Sequence, residues 1–165
     1  MANRHKRVYK DTKEGITKPL IRRFANAGGL LENYELSSDV YDAFRNWASG
    51  FLEAFLEPLY SKANLKLYLD PSDLNVNIEY KYGSYHEYEI IIQYGIFDRL
   101  MRERLQNLVN QEINYKLSKK GLLLMRHYFV ENSIDLFSKI KTYMDTTKEK
   151  RVTTKHMHTV LNRNQ

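Results

Sequence analysis

Apolar residues keep helical spacing near both ends of the chain, while the middle changes period. Leu20, Ile21, Phe24 and Ala25 fall on one helical face. Thr17 stands where an N-cap is wanted, and Pro19 suits a first turn, where its missing N–H costs nothing. Gly28 and Gly29 supply a left-handed stop. The pattern predicts a helix of about three turns with Lys18, Arg22 and Arg23 at its start. A loop, LLENYELS, follows. Ser37 or Ser38 can cap the next helix, whose apolar positions are Val40, Phe44, Trp47, Phe51, Phe55 and Leu59. Pro58 is expected to break or kink it, because the ring clashes with the preceding turn.

From residue 75 the spacing shortens. Val76, Ile78, Tyr80 and Tyr82 alternate before Gly83-Ser84, and Tyr85, Tyr88, Ile90 and Ile92 follow. This predicts a β-hairpin. Residues 96–117 return to helical period, and Lys119-Lys120-Gly121 is expected to end that helix. Residues 122–147 predict one long amphipathic helix. KEKRV reads as a short basic loop, and Thr153 as the cap of a last helix with Met157, Val160 and Leu161 on its apolar stripe. Residues 1–14 are polar and basic without periodicity and read as a tail. There is no fixed-period repeat.

Charge sharpens this division. The 165 residues carry 26 Lys and Arg against 20 Asp and Glu, a net charge of +6. Residues 1–29 hold 8 basic and 2 acidic side chains, residues 30–61 hold 1 and 6, residues 62–121 hold 9 and 8, and residues 122–165 hold 8 and 4. Two basic ends with an acidic stretch after the first point to ends that meet an anionic polymer. The hydrophobic fraction of 42% is enough for a core. With no Cys, disulfides, thiol catalysis and Cys-based zinc sites are excluded, and a reducing compartment fits. No apolar run approaches the roughly 20 residues that span a bilayer, and the first residues lack the apolar stretch of a secretory signal.

Two segments at opposite ends carry a family resemblance. NRHKRVYKDTKEGITKPLIRRFANAGG, Asn3 to Gly29, resembles the start of histone four without a gap, and TYMDTTKEKRVTTKHMHTVLNRNQ resembles its end. Tyr41, Arg45 and FLEAF, Phe51–Phe55, fit the first half of that family's long central helix. The resemblance covers roughly half of the chain. It implies a mainly α chain with a histone fold: short helix, loop, long helix, loop, short helix. It also implies that two such chains clasp head to tail, and that helix starts and paired loops meet DNA phosphates.

The departures are as specific. An excess of about 80 residues, roughly 57–137, lies inside what should be the central helix. Either that helix is interrupted and resumes near Leu136, or residues 122–147 serve as the whole of it; the FLEAF match favours interruption. The expected organisation is a basic tail over 1–15, the first part of a histone fold over 16–56, a small α+β insertion with the hairpin over 57–137, and the second part over 138–165. The first loop carries Glu32, Asn33 and Glu35 where the family is basic, so the family's contact there is expected to be lost.

The candidate DNA-binding residues fall into three groups. Lys18, Arg22 and Arg23 sit at a helix N-terminus, whose dipole and free N–H groups suit phosphate. Lys148, Lys150 and Arg151 lie in the basic loop before the helix that Thr153 caps. Arg4, Lys6 and Arg7, with His5 and Lys10, match the family's DNA-covering tail. Arg45 is DNA-proximal in the family, and a salt bridge to Asp42 or Asp39 accounts for it equally well. His156 and His158 are about 200° apart around a helix, so they do not face one metal site. The tyrosines 80, 82, 85, 88 and 94 could stack on bases, but packing of a β-face on helix 96–117 explains them more simply. No nucleophile elbow, P-loop or dinucleotide fingerprint occurs.

The expectation is therefore a structural chromatin protein, not an enzyme. Its implied partners are double-stranded DNA, a histone-three-like chain in a heterodimer and other core histones, with no membrane, metal or cofactor. Nucleus and chromosome follow, or a virion should the source be a virus; so divergent a chain suggests a large DNA virus or a protist. The alternative is a histone-fold scaffolding subunit of a transcription or regulatory complex with secondary DNA binding. An isolated chain is expected to be unstable or to aggregate.

Overall fold

The computed structural model describes residues 15–61, 79–109 and 117–163, with side chains over 15–57, 79–105 and 117–163. Among these the chain is mainly helical. In order it forms α1 (Lys18–Ala27), a 3₁₀ turn (Leu30–Glu32), β1 (Glu35–Leu36), α2 (Ser38–Ser61), α3 (Tyr85–Ile91), α4 (Tyr94–Val109), α5 (Lys119–Met144), β2 (Arg151–Val152) and α6 (Thr154–Arg163). The chain divides into two compact units, one of Met1–Ala48 with Asn132–Gln165, the other of Ser49–Glu131.

The first unit joins the two ends of the sequence. Thr17 caps α1, its Oγ1 accepting from Leu20 N at 3.3 Å, and Pro19 lies in the first turn. Leu20, Ile21, Phe24 and Ala25 are all buried, as their spacing predicts. The two glycines after α1 do different things. Gly29 alone is left-handed, at φ 78°. Gly28 has φ −78° and is needed for space: a Cβ there would lie 2.9 Å from Ser138 N and 3.1 Å from Ile134 O. Helix α5 therefore passes against the bare backbone at the end of α1.

Within this unit the first part of α2 and the last part of α5 run side by side in opposite senses. Tyr34, ahead of α2, bonds Asp145, just after α5, and one helix segment inward Phe44 stacks on Phe137 with centroids 5.2 Å apart. The start of α2 and the end of α5 thus lie on the same side, and β1 pairs with β2 in parallel, Glu35 beside Arg151 and Leu36 beside Val152. Glu35 N donates to Lys150 O at 3.1 Å and Ser37 N to Val152 O at 2.9 Å. The sequence left open whether one helix was interrupted or another replaced it. Here two long helices share the unit, and the second returns beside the first.

The second unit departs from expectation at its start. Residues 85–91 form helix α3, not the return strand of a hairpin; the outgoing strand, up to Ile78, lies outside the described residues. The reason is local. Ser84 Oγ accepts from Glu87 N at 3.3 Å, so Ser84-Tyr85-His86-Glu87 carries the Ser-x-x-Glu pattern of a helix start, which overrides the β preference of the tyrosines. The tyrosine β-face disappears with the hairpin. Tyr88 is buried, and its ring lies 5.0 Å from Tyr80 and 5.6 Å from His127.

Two helix boundaries also move. Lys119-Lys120-Gly121 opens α5 instead of ending the preceding helix, because Ser118 Oγ accepts from Gly121 N at 2.9 Å and serves as a cap. Pro58 does not end α2, which continues to Ser61; the complete burial of Leu52 and Leu56 just before it opposes the cost of the lost hydrogen bond. Phe51 and Phe97 pack on Phe129, with centroids 6.3 and 6.0 Å apart. Arg126, 2% exposed, is paired with Glu89, donates to Ile92 O at 3.3 Å and lies over the Tyr85 ring. A charge that deep persists only with such partners.

Candidate nucleic-acid interface

Among the described residues, the basic side chains singled out in the sequence lie in the first unit, most of them in two groups. The first is the start of α1. Lys18, Arg22 and Arg23 are exposed, and Tyr41 from α2 organises two of them. Lys18 Nζ stands 5.5 Å from the Tyr41 ring centroid, and Arg22 Nη1 donates to Tyr41 Oη at 3.2 Å. The phenol holds the two cations at the positive end of the helix without neutralising either. Arg45 has a different part. It is only 15% exposed, its Nε donates to Ile16 O at 2.8 Å and its Nη1 pairs with Asp42 Oδ1 at 3.0 Å. Of the two carboxylates open to it, the partner is Asp42. Arg45 thus anchors the chain entering α1.

The second group is the loop pair. Lys148 and Lys150 are exposed, and Lys150 Nζ stands 6.0 Å from the Tyr34 ring centroid. Arg151 and Glu35 are 68% and 78% exposed and face each other at 3.6 Å. The first loop therefore places a carboxylate against an arginine of the second. Thr153 stands at the N-cap of α6, as the sequence predicts, but the cap is shared. Its N–H donates to His156 Nδ1 at 2.9 Å, and its hydroxyl lies 3.1 Å from the same nitrogen. With Nδ1 accepting, Nε2 carries the proton and faces Glu149. His156 is buried and ties the basic loop to the helix that follows it.

Two further carboxylates beside the loops, Asp145 and Asp39, are also engaged. Tyr34 Oη donates to Asp145 Oδ1 at 2.6 Å, and Lys141 Nζ reaches Asp145 Oδ2 at 3.2 Å. The Tyr34 bond, then the Lys141 bond, holds the Asp145 carboxyl below its ordinary range, and the same carboxylate raises the Tyr34 phenol. Asp39, bonded by Ser37 and then Thr154, is likewise held low. Asp145 and Asp39 are thus spent on internal partners, while Lys148 and Lys150 face outward.

Arg4, Lys6 and Arg7, with His5 and Lys10, lie outside the described residues. Sequence reasoning missed Tyr34 and Tyr41. Tyr41 sits beside Val40 on the buried face of α2, where a phenol reads as core, and Tyr34 meets Asp145 only across 111 positions.

No family model matches the chain, and no solved structure matches it. A stretch of 50 residues is 50% identical to histone H4-1 of Blepharisma japonicum. That stretch is 30% of this chain and 49% of the relative, so the chain spans about half the length of the curated relative it matches. Over that stretch the chain is similar to a histone H4, and together with its mainly helical build this supports a histone fold.

Proposed function

We propose that this chain is a structural chromatin protein that binds double-stranded DNA without sequence preference and helps to compact it. The observation that carries this reading is the placement of two basic, outward-facing groups at helix starts in one unit: Lys18 and Arg22 at α1, and Lys148 and Lys150 ahead of α6. Helix starts and cations suit phosphate oxygens, which carry no sequence information. The similarity to a histone H4 supports a chromatin role and no catalytic one. The compactness of Ser49–Glu131 supports treating residues 57–137 as an insertion between the two parts of the fold. A histone-three-like partner, other core histones, a nucleosome-like particle and a nuclear, chromosomal location belong to the proposal at the level of assembly.

The test is the affinity for unrelated duplexes across salt. Neutralising about four phosphates gives a log–log slope near −3.6 and little dependence on sequence. An affinity that stays flat between roughly 50 and 200 mM salt would sink the reading. The Glu35–Arg151 contact favours a second reading, a scaffolding subunit with secondary DNA binding, because it masks one cation of the loop pair. That reading predicts that reversing the charge of Arg22, Arg23, Lys150 and Arg151 leaves function intact.

A further inference from the structure

We infer that the loop pair of this protein is closed within one chain, so that its phosphate-facing element is complete in the monomer and needs no second histone-fold chain. The inference rests on the proposed function only for what the loop pair does; the pairing itself is a matter of topology. A straight central helix keeps its own two loops apart: 24 residues, the length of α2, span about 36 Å. Loops held that far apart can pair only with loops of another chain, which is the head-to-tail clasp that the resemblance implies.

Here the helix direction reverses. Tyr34 and Asp145, then Phe44 and Phe137, show that α2 leaves the loop end and α5 returns to it. The hydrogen bonds from Glu35 N to Lys150 O and from Ser37 N to Val152 O fill the strand edges that a partner's loops would use. The apolar faces are filled as well. Val40, Phe44 and Ala48 from one helix and Ile134, Phe137 and Ile140 from the other are all fully buried in the single chain. Among the described residues the exposed large hydrophobics are Tyr80, Tyr85, Ile90 and Ile96, and all four belong to the second unit. Among its described residues the first unit thus leaves no large apolar side chain exposed for a clasp. A histone-three-like chain, where one joins, does so away from the paired loops.

The absence of Cys makes this directly testable. Glu35 and Arg151 are register partners on adjacent strands with exposed side chains, and neighbouring strands lie about 4.8 Å apart, within disulfide reach. The full-length double variant Glu35→Cys/Arg151→Cys, purified alone and oxidised over a range of concentrations, is expected to form an intramolecular disulfide. It should run as a monomer on non-reducing gels with the same yield at every concentration, and intact mass should show the loss of two hydrogens. Exclusively interchain disulfides, or crosslinking only after co-expression with a histone-three-like chain, overturns the inference. So does the absence of any crosslink in a sample whose circular dichroism and melting match the parent chain. Duplex binding by the parent chain is measured separately. An intrachain disulfide without DNA binding upholds the loop pairing and rejects the proposed function.

Discussion

Glu35 faces Arg151 across the two-residue parallel bridge, Oε2 to Nη2 at 3.6 Å, with both side chains largely exposed. The pair adds little to stability, since exposed ion pairs are screened and cost side-chain entropy. Its effect is on what the loop presents to a ligand. Glu35→Gln should raise duplex affinity and steepen the salt dependence by up to about one counterion, with the melting temperature nearly unchanged. Titration of labelled DNA at several salt concentrations decides it; an unchanged slope would mean that Arg151 does not meet phosphate.

The α1 group should behave as a phosphate site of its own. Arg22→Gln removes one cation and its bond to Tyr41, and Lys150→Gln removes a cation from the loop pair. Each should lower the magnitude of the salt slope by about 0.9, and the two together by about 1.8, uniformly across sequences. Loss confined to one duplex would argue for base reading.

Gly28→Ala tests the close approach of α5 to the end of α1. The new methyl group would meet backbone at Ser138 and Ile134, which cannot rotate away. Overpacking of this kind costs about 1–3 kcal/mol. Gly29→Ala should cost about 1–2 kcal/mol for a different reason, its left-handed φ of 78°. Urea unfolding of both variants separates them from the parent chain.

Phe44→Ala should be the most damaging single change in the first unit. Phe44 is fully buried and meets Phe24, Trp47 and Phe137, with centroids 5.8, 5.5 and 5.2 Å away. Truncation leaves a cavity and should cost about 3–5 kcal/mol. A loss below 1 kcal/mol would mean that the two helices do not pack through this ring.

The second unit should respond to mild acid. Burial holds the His127 imidazole below its ordinary 6.5, against the opposing pull of Glu131. Arg126, Tyr80 and Tyr88 also face this site. The unfolded chain then binds a proton at a higher pH than the folded one. Stability is fully present above about pH 6.5 and falls as the pH drops through the folded pKa. His127→Gln should flatten that dependence between pH 7.5 and 5.5; a parent chain whose melting does not change over that range contradicts it.

Much of the first unit was legible because its signals are local. Thr17, Pro19 and the apolar face of α1 state the helix and its start, and Thr153 states the start of α6. The α3 segment was misread because tyrosines and isoleucines suit a strand, while the Ser84–Glu87 cap that decides the matter is a weaker mark. The basic groups could be found by charge alone. Their supports could not, since Tyr41, Tyr34 and Glu35 act through contacts that only the folded chain creates. The return of α5 beside α2 left no local trace either, because apolar spacing says which face is buried and not against what.

The bond between Tyr34 and Asp145 joins residues 111 positions apart. During synthesis the segment up to Ala48 leaves the ribosome long before Ile134, Phe137 and Val152 exist to cover it. Its apolar face must wait, exposed, until the chain beyond Glu131 is made. Contacts this distant in sequence form slowly and leave aggregation-prone surface in the interval. The nascent chain, rather than the finished one, is therefore where this protein most needs a chaperone.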